Sequence, residues 1–327
     1  MHILTGKRVE ELLNKSAGRE IAVIGDLMLD RYFWGTVSRI SPEAPVPVID
    51  IENETFHLGG AANVAQNLKS LGVTPLLCGV VGNDNSGKLL IEIANNLGLQ
   101  TKSIISVDSR PTTVKTRIIG NNQHIARLDR ETRSEIESTI TNQIISMLKS
   151  STNLAGIIME DYNKGVITKY LIEEISKFTQ ENNIPLFVDP KLNFFFDYQF
   201  ATVFKPNRKE AQEALGYNLK TDEDIIKAGK ELLHRLQAEN ILLTLGDKGM
   251  MLFQKNGTIA SVPTKARHIA DVSGAGDTTI ATLATAIAGG ALATEAAALA
   301  NIAAGVVCEE PGIVSIKPGA LMEALHY

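Results

Sequence analysis

The sequence lacks most features of secreted or disulfide-stabilised proteins. Its 327 residues include only two cysteines, Cys78 and Cys308, too few for a disulfide framework. Free thiols suit the reducing cytoplasm, so we expect a cytoplasmic protein. The charged N-terminal segment has no apolar core of the kind that a secretory signal needs, and no signal peptide is predicted.

Neither sign of charge dominates the chain. Lys and Arg number 32 and Asp and Glu number 37, for a net charge of −5. Nucleic-acid-binding domains usually carry a basic excess, so no nucleic-acid partner is predicted. Hydrophobic residues at 44% and charged residues at 21% are ordinary for a globular protein, which excludes collagen-like and disordered classes. A chain of this length can bury a large core without disulfides or structural metals.

One stretch, residues 278–308, is long and apolar enough to raise the question of a membrane span. It contains a single charged residue, Glu295, but its apolar residues are mostly alanine, and Gly289 and Gly290 interrupt it. We therefore predict two helices packed inside the protein, and no membrane partner.

Short apolar runs alternate with helical segments along most of the chain. Strands are predicted at 21–25, 75–81, 156–159, 186–188, 202–204 and 241–245, and helices at 62–71, 86–97, 168–180 and 222–236. This alternation indicates an α/β sandwich with a mainly parallel sheet between two layers of helices. Such sheets bind their ligands at the carboxyl ends of the strands.

Two regions break the alternation. Residues 36–57 have alternating apolar positions and several prolines, and residues 113–128 predict a hairpin that turns at 120–122. Both indicate a small β-sheet lid over the strand ends, inserted into one domain that spans 1–327. The alternative is that both segments are edge strands of the main sheet.

Several familiar motifs are absent. Residues 82–88 match most of a phosphate-binding P-loop, but Leu89 stands where a Ser or Thr should hold magnesium, so a strand-to-helix turn is the better interpretation. No GxGxxG or HExxH motif occurs, and the six histidines lack zinc-ligand spacing. The alternative that the protein is an oxidoreductase is therefore supported only by the fold class.

The segment DVSGAGDTT at 271–279 leads directly into an Ala-rich helix. The small residues Gly274, Ala275 and Gly276 let backbone N–H groups approach an anion, which the helix dipole also favours. A carboxylate beside phosphates is electrostatically unfavourable unless it has a function. Asp277 would have one as the base that accepts a proton from an attacking hydroxyl. The alternative is that Asp277 only caps the helix.

A second Gly-rich turn, Gly59 and Gly60, opens another predicted helix. Asn63 follows it and offers both a donor and an acceptor to a hydroxyl pair. A tight helix start explains the two glycines equally well. Asp26 and Asp30 follow the first strand, where carboxylates suit sugar hydroxyls, although Asp30 could also lie in a solvated loop.

Other strand ends carry residues that suit a nucleotide. Glu210, at the start of a helix, could organise hydrated magnesium. A turn at 244–249 can supply backbone amides and a hydroxyl, and Lys191 places a cation near the same edge. The residues predicted to bind ATP are Asn207, Glu210, Thr244, Gly246, Gly249 and Ser273.

As a set, these motifs resemble the ribokinase-like (PfkB) carbohydrate kinases. The matching pieces are 59–63, the Asn207 and Glu210 pair, 244–246 and 271–277, in the family's order over nearly the whole chain. The resemblance implies a three-layer α/β sandwich with a β-lid, ATP with magnesium, Asp277 as base, and an anion hole at 274–276. It leaves open whether potassium is needed.

Within this family, the segments 24–48, 58–72, 110–129 and 161–165 resemble heptose-7-phosphate kinases. That resemblance implies phosphorylation of the C1 hydroxyl of D-glycero-β-D-manno-heptose 7-phosphate, on the ADP-heptose route to lipopolysaccharide. Many such kinases precede a nucleotidyltransferase, but no HxGH-type motif is present, and we expect the kinase alone. The run CEEPGI at 308–313 departs from the family's Lys and Gly-Thr pattern beside adenine, which puts nucleotide preference in question.

The sugar is expected under the lid, held by Asp26, Asp30, Asn63 and the Gly59–Gly60 turn. Its phosphate needs cations, which the sequence does not rank. The candidates are Arg39, Lys115, Arg127, Lys164 and Lys191, of which we assign Arg127, Lys164 and Lys191 to the substrate. Lid strands have open edges, so Val46, Val48 and Ile49 predict a homodimer formed through the lids. The alternatives are a kinase of ribose, fructose or a hexose phosphate, and a non-catalytic sugar or nucleotide sensor.

Overall fold

The computed structural model of the protein describes residues 4–151, 153–264 and 269–325. Its strands are β1 Glu20–Gly25, β2 Leu27–Ile40, β3 Pro47–Gly60, β4 Thr74–Gly82, β5 Ile104–Val107, β6 Thr113–Gly120, β7 Gln123–Arg130, β8 Leu154–Glu160, β9 Leu186–Asp189, β10 Val203–Phe204, β11 Asn240–Thr244, β12 Met250–Gln254 and β13 Ile259–Val262. Its α-helices are α1 Gly6–Ser16, α2 Ala61–Ser70, α3 Asn85–Asn96, α4 Ser138–Ser150, α5 Lys169–Asn182, α6 Arg208–Leu215, α7 Asp222–Leu236, α8 Ala275–Ala288, α9 Ala293–Cys308 and α10 Pro318–Ala324.

The main sheet has nine strands in the order β13-β12-β11-β10-β9-β8-β1-β4-β5. Its strands pair in parallel from β11 to β5, and β12 and β13 add antiparallel at one edge. Apolar side chains of α1, α2, α8 and α9 pack on one face, and those of α4, α5 and α7 pack on the other. The three-layer α/β sandwich predicted from the alternating pattern is confirmed.

A separate four-stranded sheet of order β3-β2-β6-β7 forms the lid. The β6–β7 hairpin turns through Asn121 and Asn122, whose φ angles of 51° and 60° are those of a two-residue turn that matches strand twist. The lid is thus confirmed, and the alternative that these segments are edge strands of the main sheet is wrong. The lid begins earlier than predicted, because β2 starts at Leu27 and only Asp26 separates it from β1. Asp30 therefore lies in a lid strand rather than in a solvated loop.

Residues 278–308 lie in the two helices α8 and α9, as predicted. The break between them begins at Gly289, where a Cβ atom would clash with the backbone of Leu12 in α1. In the parts of the chain that the structure describes, no helix combines the length and apolar character needed to span a bilayer.

The P-loop-like segment is a strand-to-helix turn, as interpreted. The Asp84 carboxylate accepts hydrogen bonds from the Gly87 N–H at 2.9 Å and the Thr112 hydroxyl at 2.7 Å. Asp84 thereby caps α3, and its carboxylate occupies the turn that a phosphate would need.

Since β1, β8, β9, β10 and β11 run in parallel, their carboxyl ends meet at one edge of the sheet. The residues that end these strands or follow them directly are Asp26, Glu160, Asp189, Lys205 and Thr244. Four of these five are charged and buried. Charges are rarely buried without a partner or a function, so this edge is where a functional site is expected.

Candidate functional site

A cavity of about 860 Å³ lies at this edge, between the strand ends and the N-terminus of α8. It contains nearly all residues predicted for the nucleotide and for catalysis, namely Asn207, Glu210, Thr244, Gly246, Gly249, Gly274, Ala275, Gly276 and Asp277. Ser273 is not among its lining residues, and the Ser273 N–H donates to Asp271 at 2.9 Å. The cavity is of the size that small-molecule ligands occupy.

The turn that precedes α8 has the backbone of an anion site. Gly274 has a φ of 80°, a left-handed conformation that residues with a side chain adopt at a cost. The Ala275 N–H donates to the Val272 carbonyl oxygen at 3.3 Å, whereas the Gly276 and Asp277 N–H groups in the first turn of α8 have no intrahelical acceptor and are available to an anion. A Cβ atom on Gly276 would lie 3.6 Å from both Asp189 Oδ2 and Lys205 Nζ. The helix start therefore lies against the buried ion pair of Asp189 and Lys205.

Asp277 is buried in the first turn of α8 and is bound by two side chains. Asn63 Nδ2 donates to its Oδ2 at 2.6 Å, and the Tyr162 hydroxyl donates to its Oδ1 at 2.8 Å. Burial raises the pKa of Asp277 to about 6, although both hydrogen bonds act to lower it. The residue that caps α8 is Gly274, and the alternative that Asp277 only caps the helix is wrong. A buried carboxylate with this pKa is suited to general base catalysis near neutral pH.

The orientation of Asn63 is fixed from the interior. Asn67, one turn later in α2, donates from its Nδ2 to Asn63 Oδ1 at 3.3 Å and to the Asn63 carbonyl oxygen at 3.0 Å. Asn67 Oδ1 in turn accepts from the Thr278 hydroxyl and from the Ile316 N–H. Because Asn63 Oδ1 is an acceptor here, its Nδ2 faces Asp277. The structure thus places Asn63, which we predicted for the sugar, on the carboxylate of the candidate base.

The Asp26 carboxylate binds the loop that follows β8. It accepts three backbone hydrogen bonds, from the N–H groups of Tyr162 at 2.9 Å, Lys164 at 3.0 Å and Val166 at 3.1 Å. Burial raises the pKa of Asp26, and these three bonds oppose that rise. Asp26 was predicted to hold sugar hydroxyls, and in the structure its oxygens hold the loop that carries Tyr162. Sequence reasoning assigned no role to Tyr162.

Asp30, Gly59 and Gly60 meet on the lid. Asp30 is buried and pairs with Arg117 of β6. A Cβ atom on Gly59 would collide with the Asp30 carboxylate, so the glycine leaves the space that this carboxylate fills. Gly60 ends β3 and directly precedes α2, which places the turn next to Asn63.

The five candidate cations for a substrate phosphate differ in their burial and in their ion-pair partners. Lys164 pairs with Glu131 at 2.7 Å, and Arg127 pairs with Asp129 at 2.9 Å on the exposed strand β7. Arg39 is exposed at the far end of β2. Lys191 pairs with Glu210 and lines the 860 Å³ cavity, and its Nζ lies 5.3 Å from the centre of the Tyr162 ring.

Lys115 differs from the other four. It is partly buried on β6, its Nζ lies 5.0 Å from the centre of the Tyr162 ring, and it makes no ion pair with any residue that the structure describes. Its register partner on β2 is Asp30, so both belong to the lid face that covers the Tyr162 loop. Lys115 is the cation best placed to meet an anion bound beneath the lid.

The acidic run that departs from the resemblance does not line the cavity. Of residues 308–313 only Cys308 is among the lining residues. The Cys308 carbonyl oxygen accepts from the Ala270 N–H at 2.8 Å, and the Gly312 N–H donates to the Asp271 carboxylate at 3.2 Å. The run therefore supports the segment that leads into α8.

Comparison with known sequences places the chain in a family. Residues 19–318 match the profile of the pfkB family carbohydrate kinases. The chain is 42% identical over 285 residues to the bifunctional protein HldE of Geobacter sulfurreducens and 40% identical to that of Trichlorobacter lovleyi. Each match covers 87% of this chain and 58% of the relative, so the chain spans little more than half the length of these proteins.

Solved structures share the fold at low sequence identity. Phosphofructokinase-2 from Escherichia coli, in complex with substrates and products, superposes with a TM-score of 0.78 at 17% identity, over 94% of this chain and 99% of that one. Ribokinase from Arabidopsis thaliana, complexed with ribose and ATP, gives 0.74 at 20% identity, over 95% and 99%. The fold is thus ribokinase-like, as the sequence motifs predicted. Because the family profile matches 19–318 and the cavity joins its motifs, the protein is a carbohydrate kinase of the pfkB family.

Proposed function

We propose that the protein transfers the γ-phosphoryl group of ATP to the C1 hydroxyl of D-glycero-β-D-manno-heptose 7-phosphate, giving the 1,7-bisphosphate and ADP. The observation that carries the reaction type is the buried Asp277, held by Asn63 and Tyr162 beside the anion-binding turn of α8. The sugar is inferred from the identity of about 40% to the HldE proteins. The kinase is proposed to act in ADP-heptose synthesis in the cytoplasm.

The reaction is an in-line displacement at phosphorus. Asp277 accepts the proton of the C1 hydroxyl while the oxygen forms its bond to the γ-phosphorus, and the bond to the β–γ bridging oxygen breaks to release ADP. Both donors to Asp277 come from fixed side chains, so the carboxylate is oriented before the sugar binds. The Gly276 and Asp277 N–H groups in the first turn of α8 stabilise charge on the transferred group, an effect commonly equivalent to a few kcal/mol per donor.

Magnesium is expected to arrive with ATP. Within the described ranges, no three metal-binding side chains form a cage, which fits an ion held mainly by phosphate oxygens and water. Glu210 lines the cavity, and its oxygens already accept from the Asn207 N–H at 2.8 Å and from Lys191. Glu210 is therefore proposed to meet the ion through water. The bound ion would offset the negative charge of the phosphates.

The lid is proposed to hold the sugar. Asp30 and Arg117 form a buried ion pair on the lid face that covers the Tyr162 loop, and both can exchange hydrogen bonds with sugar hydroxyls. We assign the 7-phosphate to Lys115, which lacks a carboxylate partner among the described residues. Lys164 and Arg127 already have such partners, which makes them weaker candidates than the sequence suggested.

The lid is also proposed to pair with that of a second copy. Val46, Ile40, Ile51 and Leu128 are large hydrophobic residues exposed on the lid, each by more than half. Val48 and Ile49, which we also predicted at the interface, are partly buried. Sedimentation analysis of the purified protein should give a dimer, and Ile51→Glu should give a monomer. A wild-type monomer at micromolar concentration would reject the pairing.

The test of the function is ADP release with ATP, magnesium and a panel of acceptors. The panel contains heptose 7-phosphate, sedoheptulose 7-phosphate, fructose 6-phosphate, fructose and ribose, with the product position read by phosphorus NMR. Turnover only with heptose 7-phosphate, giving a C1 phosphate, is expected. Turnover with another sugar would reject the heptose assignment and retain Asp277 as base. Nucleotide binding without turnover on any sugar would favour a sensor.

A further inference from the structure

Three charged side chains lie in a row beneath the start of α8. Glu160, Asp189 and Lys205 end or follow the adjacent strands β8, β9 and β10, and Glu160 and Asp189 are register partners. Two residues earlier on each strand, Ile158, Phe187 and Val203 pack in the cluster that contains α8. Because side chains alternate along a strand, the charged residues point to the same face, toward α8.

Lys205 is the cation of this row, and it reaches the anion-binding turn. Its side chain is 4% exposed, and its Nζ lies 2.6 Å from Asp189 Oδ2. The same Nζ and Asp189 Oδ2 each lie 3.6 Å from the position of a Cβ atom on Gly276, and both residues line the cavity. Gly276 directly precedes Asp277, so a phosphoryl group between the base and the α8 amides would be within reach of this ammonium.

Glu160 adds a buried carboxyl group to the same row. It is fully buried, and neither carboxylate oxygen has a hydrogen-bond partner among the residues that the structure describes. Burial raises the pKa of Glu160 well above its ordinary value, and the charges of Asp189 and Asp277 raise it further. Burial alone would lower the pKa of Lys205, but the adjacent carboxylate of Asp189 outweighs it, so the pKa is raised and the ammonium stays charged.

A purely structural role explains this arrangement poorly. A buried ion pair is usually no more stabilising than apolar residues of similar size, and an orphan carboxyl beside it adds a cost. Its ion pair with Asp189 keeps the Lys205 ammonium charged and fixed at the wall of the cavity that is proposed to bind ATP. Such a cation can stabilise the negative charge of a phosphoryl group during its transfer.

We propose that Lys205 is a further catalytic residue, whose ammonium contacts the γ-phosphoryl group of ATP during transfer, with Asp189 and Glu160 as positioning residues. The proposal rests on the phosphoryl transfer proposed above, and it adds a donor to the α8 amides on the oxygens of the transferred group. The lysine keeps its proton throughout, and the C1 proton still passes to Asp277.

The test compares Lys205→Met with Lys169→Met, a control that removes the exposed 3.2 Å ion pair of Lys169 and Asp197. Loss of one preorganised donor should lower kcat on the order of 10²–10³-fold and leave the KM for the sugar unchanged. Because the contact is to the γ-phosphoryl group, the Kd of Mg-ATP should rise on the order of tenfold while that of Mg-ADP stays the same. The control should change none of these values.

Two further variants separate catalysis from folding. The double variant Lys205→Met, Asp189→Asn removes both charges of the ion pair and should fold. It should show the same loss of kcat as Lys205→Met and the same rise in the Kd of Mg-ATP but not of Mg-ADP. Lys205→Arg keeps the charge and should restore part of the preference for ATP over ADP. A kcat within threefold of wild type for folded Lys205→Met, or equal weakening of ATP and ADP, would overturn the proposal. If no sugar is phosphorylated, the proposed function fails, while the ATP-to-ADP affinity ratio still decides the role of Lys205.

Discussion

Replacing the candidate base with its amide isostere should inactivate the enzyme and stabilise the fold. Asp277→Asn preserves size, and its amide can keep both observed bonds, accepting from Asn63 and donating to the Tyr162 oxygen. What it removes is a buried negative charge. Loss of general base catalysis should lower kcat about 10²–10⁴-fold with little change in the KM for the sugar.

The size of the stability gain follows from the pKa. Burial raises the pKa of Asp277 from its ordinary 3.8 to about 6, so ionisation disfavours the folded state. A difference of about two pKa units corresponds to about 3 kcal/mol at pH values above 6. In the wild type, the protonated Asp277 imposes no such cost below pH 3.8. The free energy of unfolding therefore falls by about 3 kcal/mol as the pH rises through about 6 and Asp277 ionises in the folded state. The advantage of Asp277→Asn should therefore be greatest at pH 8 and disappear near pH 4.

Urea unfolding at pH 8 and pH 4.5 measures this difference directly, beside kcat on the same preparations. Asp224→Asn is a control of opposite sign, because backbone N–H groups of Thr221 and Lys220 lower the pKa of the exposed Asp224. That variant should be less stable than wild type at pH 8 and approach it as the pH falls. The reasoning would be refuted if Asp277→Asn had a lower free energy of unfolding than the wild type at pH 8. It would also be refuted if the variant exceeded the wild type by the same free energy at both pH values. A kcat near wild type would reject Asp277 as the base.

The features predicted well from the sequence were those encoded by neighbouring residues. The glycine turn at 274–276, the helix start at Asn207 and the Asn121–Asn122 hairpin each follow from a few consecutive residues. The strand boundaries agree within two residues, because each buried run is bounded by polar or turn residues. The lid start was missed because β1 passes into β2 with only Asp26 between them, and so short a connection was interpreted as the loop after the first strand.

The features that were missed depend on contacts between distant parts of the chain. Tyr162 lies 115 positions from Asp277, and its role comes from the loop that Asp26 binds. Asn67 carried a usable signal, because it stands one helical turn after Asn63 and so shares its face. Lys191 and Glu210 were both predicted at this edge of the sheet. Their ion pair was not predicted, because it depends on the order of the strands in the sheet.

Three further outcomes test the two sides of the site. Lys115→Met should raise the KM for a sugar phosphate about tenfold or more and leave the KM for ATP unchanged, because its ammonium faces the lid side. In wild type, kcat/KM should fall as the pH drops below about 6, where Asp277 becomes protonated. Tyr162→Phe removes a hydrogen bond that lowers the pKa of Asp277, so this limb of the pH profile should move to higher pH. Activity of Tyr162→Phe should then recover between pH 7 and pH 9, with Tyr170→Phe, an exposed tyrosine of α5, as the control. A uniform loss at every pH would mean that Tyr162 supports the fold of its loop and does not set the protonation of the base.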